Sequence, residues 1–267
     1  MALAAGSVQA QADKFGQPMD RAASGKADQE EGARILAEFR RNTGVGGNYW
    51  MSFELRVMPR KGSERTVTGT LLGTRGESGG PLSRLTIEGK NWLIESGPQP
   101  HAWTTGSNGE VNPASGGEAL GGTGVTVFDL QMPFLYWSDF TYEGQGKVRG
   151  RPTHSFVLRP PPGFVPPEPG LTGVRVVIDQ QFSALVQAEV LGAKGTAERS
   201  IALLDLKLVN EQPLVKSVDI RDLRTRDKTR LTFTAAALGI EWPAGTFLPE
   251  NLGQPLPSVP PAKVVRF

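Results

Sequence analysis

Across residues 174–238 apolar and polar side chains alternate in short runs, each closed by a turn signal. The runs at 174–179, 182–191, 200–209, 214–223 and 228–236 are strand-sized and rich in β-branched and apolar residues. Links this short cannot make a parallel crossover, so they predict an antiparallel meander. Leu204, Leu206 and Leu208 alternate with Leu203, Asp205 and Lys207, and Leu231 and Phe233 alternate with Thr232 and Thr234. One face of the predicted sheet is therefore apolar and the other meets water.

The first half of the chain repeats this pattern. Over 47–58, Tyr49, Met51, Phe53, Leu55 and Val57 fall on one side, and Trp50, Ser52, Glu54 and Arg56 on the other. Further strands are predicted at 65–72, 83–88 (with Leu85 and Ile87) and 91–95 (with Trp92), then around a turn at Asn108-Gly109. A helical period occurs at 28–41, where Asp28 can cap, Glu30 and Glu31 suit the first turn, and Arg40 and Arg41 suit the last. Residues 126–142 crowd Phe134, Tyr136, Trp137 and Phe140 around Pro133 with neither period, which predicts a short helix or irregular lid over the apolar face. A strand at 148–159 carrying Phe156, a Pro-rich loop at 159–170 and a proline-broken tail from Trp242 complete the outline.

Composition agrees with many short strands: Gly 33 and Pro 21 among 267 residues argue against a helical bundle. A net charge of +2 gives no reason to expect a nucleic-acid partner, and no apolar run approaches the roughly 20 residues of a membrane-spanning helix. The absence of cysteine removes disulfides, thiolate metal ligands, a thiol nucleophile and the anchor of a bacterial lipoprotein. Residues 1–12 resemble the end of a secretory signal, with Ala10 and Ala12 in an A-x-A arrangement. The expected organisation is a signal-peptide remnant at 1–12, one domain at 13–252 and a Pro-rich tail at 253–267.

A flat sheet of roughly ten strands at about 4.8 Å spacing would exceed 40 Å in width, whereas one helix covers about 10 Å. The predicted helix and aromatic segment cannot cover that width, so the sheet should curl around them into an incomplete barrel with a partly filled apolar hollow. Such a lining suits an acyl chain, whose methylenes contribute about 0.8 kcal/mol each on burial. The plainer alternative is that the same residues form an ordinary core.

Four stretches, DLQMPFLYWSDF (129–140), GRPTHSFVLRPP (150–161), VRVVIDQQFSALVQAEVL (174–191) and VKSVDIRDLRTRDKTRLTFTAAAL (215–238), together resemble the bacterial outer-membrane lipoprotein-sorting proteins of the LolA/LolB-like superfamily. The resemblance runs from about residue 48 to 252. It implies a mainly β, α+β fold in which a strongly curved antiparallel sheet forms an incomplete barrel around one or more helices. It also implies a periplasmic location, transfer of cargo towards the outer membrane and an apolar cavity for lipoprotein acyl chains or other lipids. The missing lipidation cysteine fits the carrier and not the anchored acceptor. The expected cavity residues are Tyr49, Met51, Phe53, Leu55, Val57, Leu85, Ile87, Trp92, Phe134, Tyr136, Trp137, Phe140 and Phe156.

No catalytic constellation stands out, and no enzyme activity, metal or other cofactor is expected. His101 and His154 are far apart and lack acidic neighbours at ligand spacing; G-x-S-x-G is absent; the glycine runs lack a phosphate-binding context. The basic run containing Arg221, Arg224, Arg226, Lys228 and Arg230 reads as a solvated hairpin rim, with a headgroup or transient membrane contact as the sharper alternative. For the whole chain the alternative to a carrier is an envelope scaffold or interaction protein, with an inner-membrane lipid exporter as a partner.

Overall fold

A computed structural model describes residues 20–21, 27–42, 45, 47–77 and 79–267; the expected signal remnant at 1–12 lies outside these. The strands are β1 (Asp20–Arg21), β2 (Tyr49–Met58), β3 (Arg65–Arg75), β4 (Pro81–Ile87), β5 (Lys90–Glu95), β6 (His101–Thr105), β7 (Val111–Pro113), β8 (Asp139–Val148), β9 (Arg151–Arg159), β10 (Gly173–Asp179), β11 (Leu185–Leu191), β12 (Ala197–Val209), β13 (Gln212–Asp222), β14 (Lys228–Leu238) and β15 (Val265–Arg266). The helices are α1 (Gln29–Asn42) and α2 (Val127–Gln131).

All strands join one antiparallel sheet in the order β1-β8-β9-β10-β11-β12-β13-β14-β2-β3-β4-β5-β6-β7, with β15 added to β14. The expected meander is β10 to β14, and the earlier run is β2 to β7. They join through β14 and β2, where Leu231 lies opposite Leu55 and Phe233 opposite Phe53. The two ends of the path do not pair, so the sheet stays open. The segment from α2 through the 3₁₀ turn Pro133–Tyr136 packs against β5 at one end and β9 at the other. Those strands stand nine places apart, over 40 Å in a flat sheet at about 4.8 Å per strand, so the sheet must curl around this segment. The fold is the expected open, curved antiparallel sheet enclosing helical elements.

On α1, Leu36 and Phe39 are buried and Gly32 lies against the Tyr142 ring. The Gln29 side chain completes the β8 edge: its amide nitrogen donates to the Tyr142 carbonyl (2.9 Å) and its oxygen accepts from the Tyr142 N–H (2.8 Å).

Three expectations need correction. Residues 139–142 are not lid but the start of strand β8, so Phe140 and Tyr142 belong to the sheet; of the expected lid, 127–136 is helical. Strand β11 starts at Leu185, because the Asp179 carboxylate accepts from the Gln181 and Phe182 N–H groups (both 2.9 Å) and turns the chain first. Leu206 and Leu208 are exposed, because β12 and β13 run beyond their neighbouring strands there and residues 205–208 are open on both faces.

The outer face of β3–β5 is also dry. There Leu72, Arg84 and Leu93 are buried beneath residues 240–254. Arg84 donates to the carbonyls of Thr246 (3.1 Å), Leu252 (3.1 Å) and Gln254, and burial lowers its pKa.

Candidate functional site

On the concave side, β14, β2, β3 and β4 place Leu231, Phe233, Phe53, Leu55, Leu71, Leu85 and Ile87 on one surface. Gly69 stands opposite Phe53, and a Cβ there would come within 2.3 Å of the Phe53 ring; the missing side chain lets that ring lie across β3. Leu120, Val125 and Leu130 from the covering segment close over this surface and leave a recess lined only by apolar side chains. Leu71, Leu130 and Phe233 are half-buried and mark its edge.

The recess holds about 30 Å³, close to one water's share of liquid volume at about 30 Å³ and far below the roughly 300–1,000 Å³ of ligand pockets. In this conformation the chain's own side chains nearly fill it. A larger hollow of about 340 Å³ lies outside, between the β3–β4 turn and the tail, with Asn48, Arg75, Glu77, Trp242 and Phe247 among its walls. Its mixed lining suits an apolar guest less well than the inner recess, despite the greater volume.

Polar contacts at its perimeter fasten the cover. Thr126 and Asp129 form a reciprocal capping box at the start of α2. The Asp129 carboxylate, wholly buried, also binds Arg199 of β12, which donates to the Gly124 carbonyl as well. Burial pulls the Arg199 pKa down, but the Asp129 charge and hydrogen bonds outweigh it and the net shift is upward. Arg65 donates to the carbonyls of Gly121 (2.9 Å) and Gly122 (2.6 Å), and Gln131 to that of His101 (2.9 Å). From α1, Arg40 donates to the carbonyls of Leu135 (2.5 Å) and Trp137 (2.6 Å), while burial lowers its pKa. Phe164 of the Pro-rich loop seals the outside, its ring 5.1 Å from that of Trp137.

Of the residues singled out from sequence, Phe53, Leu55, Leu85 and Ile87 line the recess. Tyr49 and Met51 belong to an adjoining cluster with Val209, Leu214 and Ala236, and burial raises the Tyr49 pKa. Val57 is half-buried at the far end of β2. Trp92 is buried, its indole N–H donating to Glu118 (3.3 Å). Phe134 and Trp137 are buried within the cover and Tyr136 is half-buried there; Phe156 and Phe140 stack edge-to-face beneath it. Leu71, Leu120, Val125, Leu130, Leu231 and Phe233 also line the recess and lie outside the expected cavity set. Leu130 stood in the aromatic-rich stretch, but nothing local marked Leu120 or Val125.

The basic run is dispersed. Arg230 binds Asp219 through two contacts (2.7 and 3.0 Å), and Arg221 reaches the same carboxylate (3.4 Å). Arg224 pairs with Glu168 of the Pro-rich loop (2.5 Å) and with Asp222 (3.4 Å). Arg226 occupies the β13–β14 turn with positive φ, and Lys228 starts β14. His154 accepts from or donates to the Tyr142 hydroxyl (2.7 Å), and His101 lies 3.5 Å from Glu95. Among the described residues no group of three or more His, Cys, Asp or Glu is placed to hold a metal.

A family model described as "Uncharacterized protein" matches residues 107–254, more than half of the chain. No curated protein matches it. Among solved structures, a domain from Vibrio parahaemolyticus assigned to outer membrane lipoprotein sorting is similar at TM-score 0.75 and 15% identity, over 85% of this chain and 100% of that one. A DUF1329 family protein from Desulfovibrio piger is similar at TM-score 0.72 and 12% identity, over 84% and 98%. A LolA superfamily protein from Nitrosomonas europaea is similar at TM-score 0.61 and 13% identity, over 84% and 98%. At these identities the likeness is one of fold.

Proposed function

We propose that this chain, a member of the family whose model matches residues 107–254 and LolA-like in fold, is a non-enzymatic periplasmic carrier. It takes lipoprotein acyl chains or other lipids against its concave apolar face for transfer towards the outer membrane. The observation that carries this reading is the recess beneath Leu120, Val125 and Leu130, with no polar side chain in its wall and with half-buried Leu71, Leu130 and Phe233 at its edge. Because the recess is small, cargo enters by displacing those three side chains. Exposing them costs about 2 kcal/mol each. An acyl chain of about 16 carbons recovers on the order of 10 kcal/mol, so the exchange is favourable once the perimeter contacts let go. An inner-membrane exporter is the corresponding donor.

Native mass spectrometry of protein purified gently from the cell envelope tests the proposal. Co-purifying lipid, displaced by added fatty acid, is the expected result. Protein that is reproducibly empty and takes up no fluorescent fatty acid overturns it. That outcome favours a second reading, an envelope scaffold whose interior is simply a core, which the small volume of the recess supports.

A further inference from the structure

The β11–β12 ladder ends at Gln187 opposite Ala202, and the β13–β14 ladder ends at Ser217 opposite Thr232. Beyond these points β12 pairs only with β13, out to a turn at Asn210 and Glu211, both in the left-handed region (φ 48° and 64°). The two strands form a ribbon that outruns the sheet. On one face Val209 and Leu214 pack with Tyr49, Met51 and Ala236, which fixes the ribbon to the body. On the other, Leu206, Leu208 and Val215 are 36%, 67% and 37% exposed.

The margin of β12 facing away from β13 is therefore an unpaired apolar strand edge, the kind of feature that recruits another strand unless it is blocked. Its sequence is Leu204-Asp205-Leu206-Lys207-Leu208, with opposite charges equidistant from Leu206. We propose that this edge pairs antiparallel with the same edge of a second copy, around a two-fold axis at Leu206. In that register Asp205 stands opposite Lys207 of the second copy and Lys207 opposite its Asp205, while Leu204 meets Leu208 and Leu206 meets its own equivalent. The interface is isologous, and its charges favour a second copy over an unrelated strand. The Leu206 N–H donates to its neighbour's carboxylate (Asp205 Oδ1, 2.9 Å), and pairing exchanges that bond for a carbonyl of the second copy. The competing contact from Lys216 to Asp205 (3.4 Å) is exposed and worth little. A contact this short buries less than the roughly 1,200 Å² of stable interfaces, so the dimer is weak and concentration-dependent.

Sedimentation velocity on the full chain, from low micromolar to near-millimolar concentration, tests this. Wild type should shift from monomer towards dimer. Asp205→Lys and Lys207→Asp, which each place like charges opposite one another, should weaken the dimer at least about tenfold. The double reversal Asp205→Lys/Lys207→Asp restores complementarity and should recover it. Both positions are exposed, so unchanged thermal unfolding confirms that each variant is folded. Wild type that stays monomeric, either single reversal dimerising as wild type does, or failure of the double reversal to recover the dimer overturns the proposal.

Discussion

Asp129 on α2 and Arg199 on β12, 70 positions apart, share a buried ion pair in which Arg199 Nε donates to Asp129 Oδ1 at 2.8 Å. This contact ties the cover of the half-barrel to the middle of the sheet. Losing one partner leaves the other charge buried and unpaired, at a cost of about 3–5 kcal/mol. Asp129→Leu and Arg199→Met should each lower the unfolding free energy by an amount in that range. The double variant Asp129→Leu/Arg199→Met should lose clearly less than the sum. Urea titration followed by tryptophan fluorescence measures all three.

Arg84 fastens the tail by donating to three carbonyls from within a dry interface. Arg84→Met keeps much of the volume and orphans those acceptors, at about 1–3 kcal/mol for each buried unsatisfied group. Limited proteolysis should then cut within 242–254 well before the sheet unfolds, whereas wild type resists there. Equal resistance in both proteins would show that tail packing needs no clasp.

Stability should fall on acidification in two steps. Burial depresses the His154 pKa below its ordinary 6.5, partly opposed by Glu31. For Asp219, burial works upward, but the hydrogen bonds and charge of Arg230 prevail and hold the carboxyl below its ordinary 3.8. Both groups bind fewer protons folded than unfolded, so each contributes stability above its unfolded pKa and loses it as pH falls through its folded value. Urea midpoints measured against pH should lose slope below 6.5 in His154→Gln and below 3.8 in Asp219→Asn.

Acyl-chain uptake should be most sensitive where the recess meets solvent. Leu130→Asp and Phe233→Asp alter half-buried positions and should abolish fatty-acid binding at a modest stability cost. Phe53→Asp places a carboxylate at a buried site and should unfold the protein outright. Binding of a fluorescent fatty acid beside thermal melts separates the two classes, and retained binding in both edge variants would exclude this mouth.

Alternation along the chain was sufficient to identify most strands, because a half-buried sheet stamps a period of two onto local sequence. The meander from β10 to β14, the run from β2 to β7 and the capped helix α1 were legible in this way. The β8 strand was not, since Phe140 and Tyr142 stood in an aromatic cluster whose earlier members are helical. Leu206 and Leu208 carry the period of a buried face, but β12 and β13 outrun the sheet there, and local sequence does not record where neighbouring strands stop.

By itself, then, the sequence determined a one-sidedly apolar antiparallel sheet too wide for its helices to cover while flat. Only the tertiary structure decided that β14 closes onto β2, that Leu120, Val125 and Leu130 fill the hollow almost completely, and that Arg84 is buried under the tail. Each of these joins residues many positions apart. Such contacts depend on register and curvature accumulated over the whole sheet, which no local window of residues encodes.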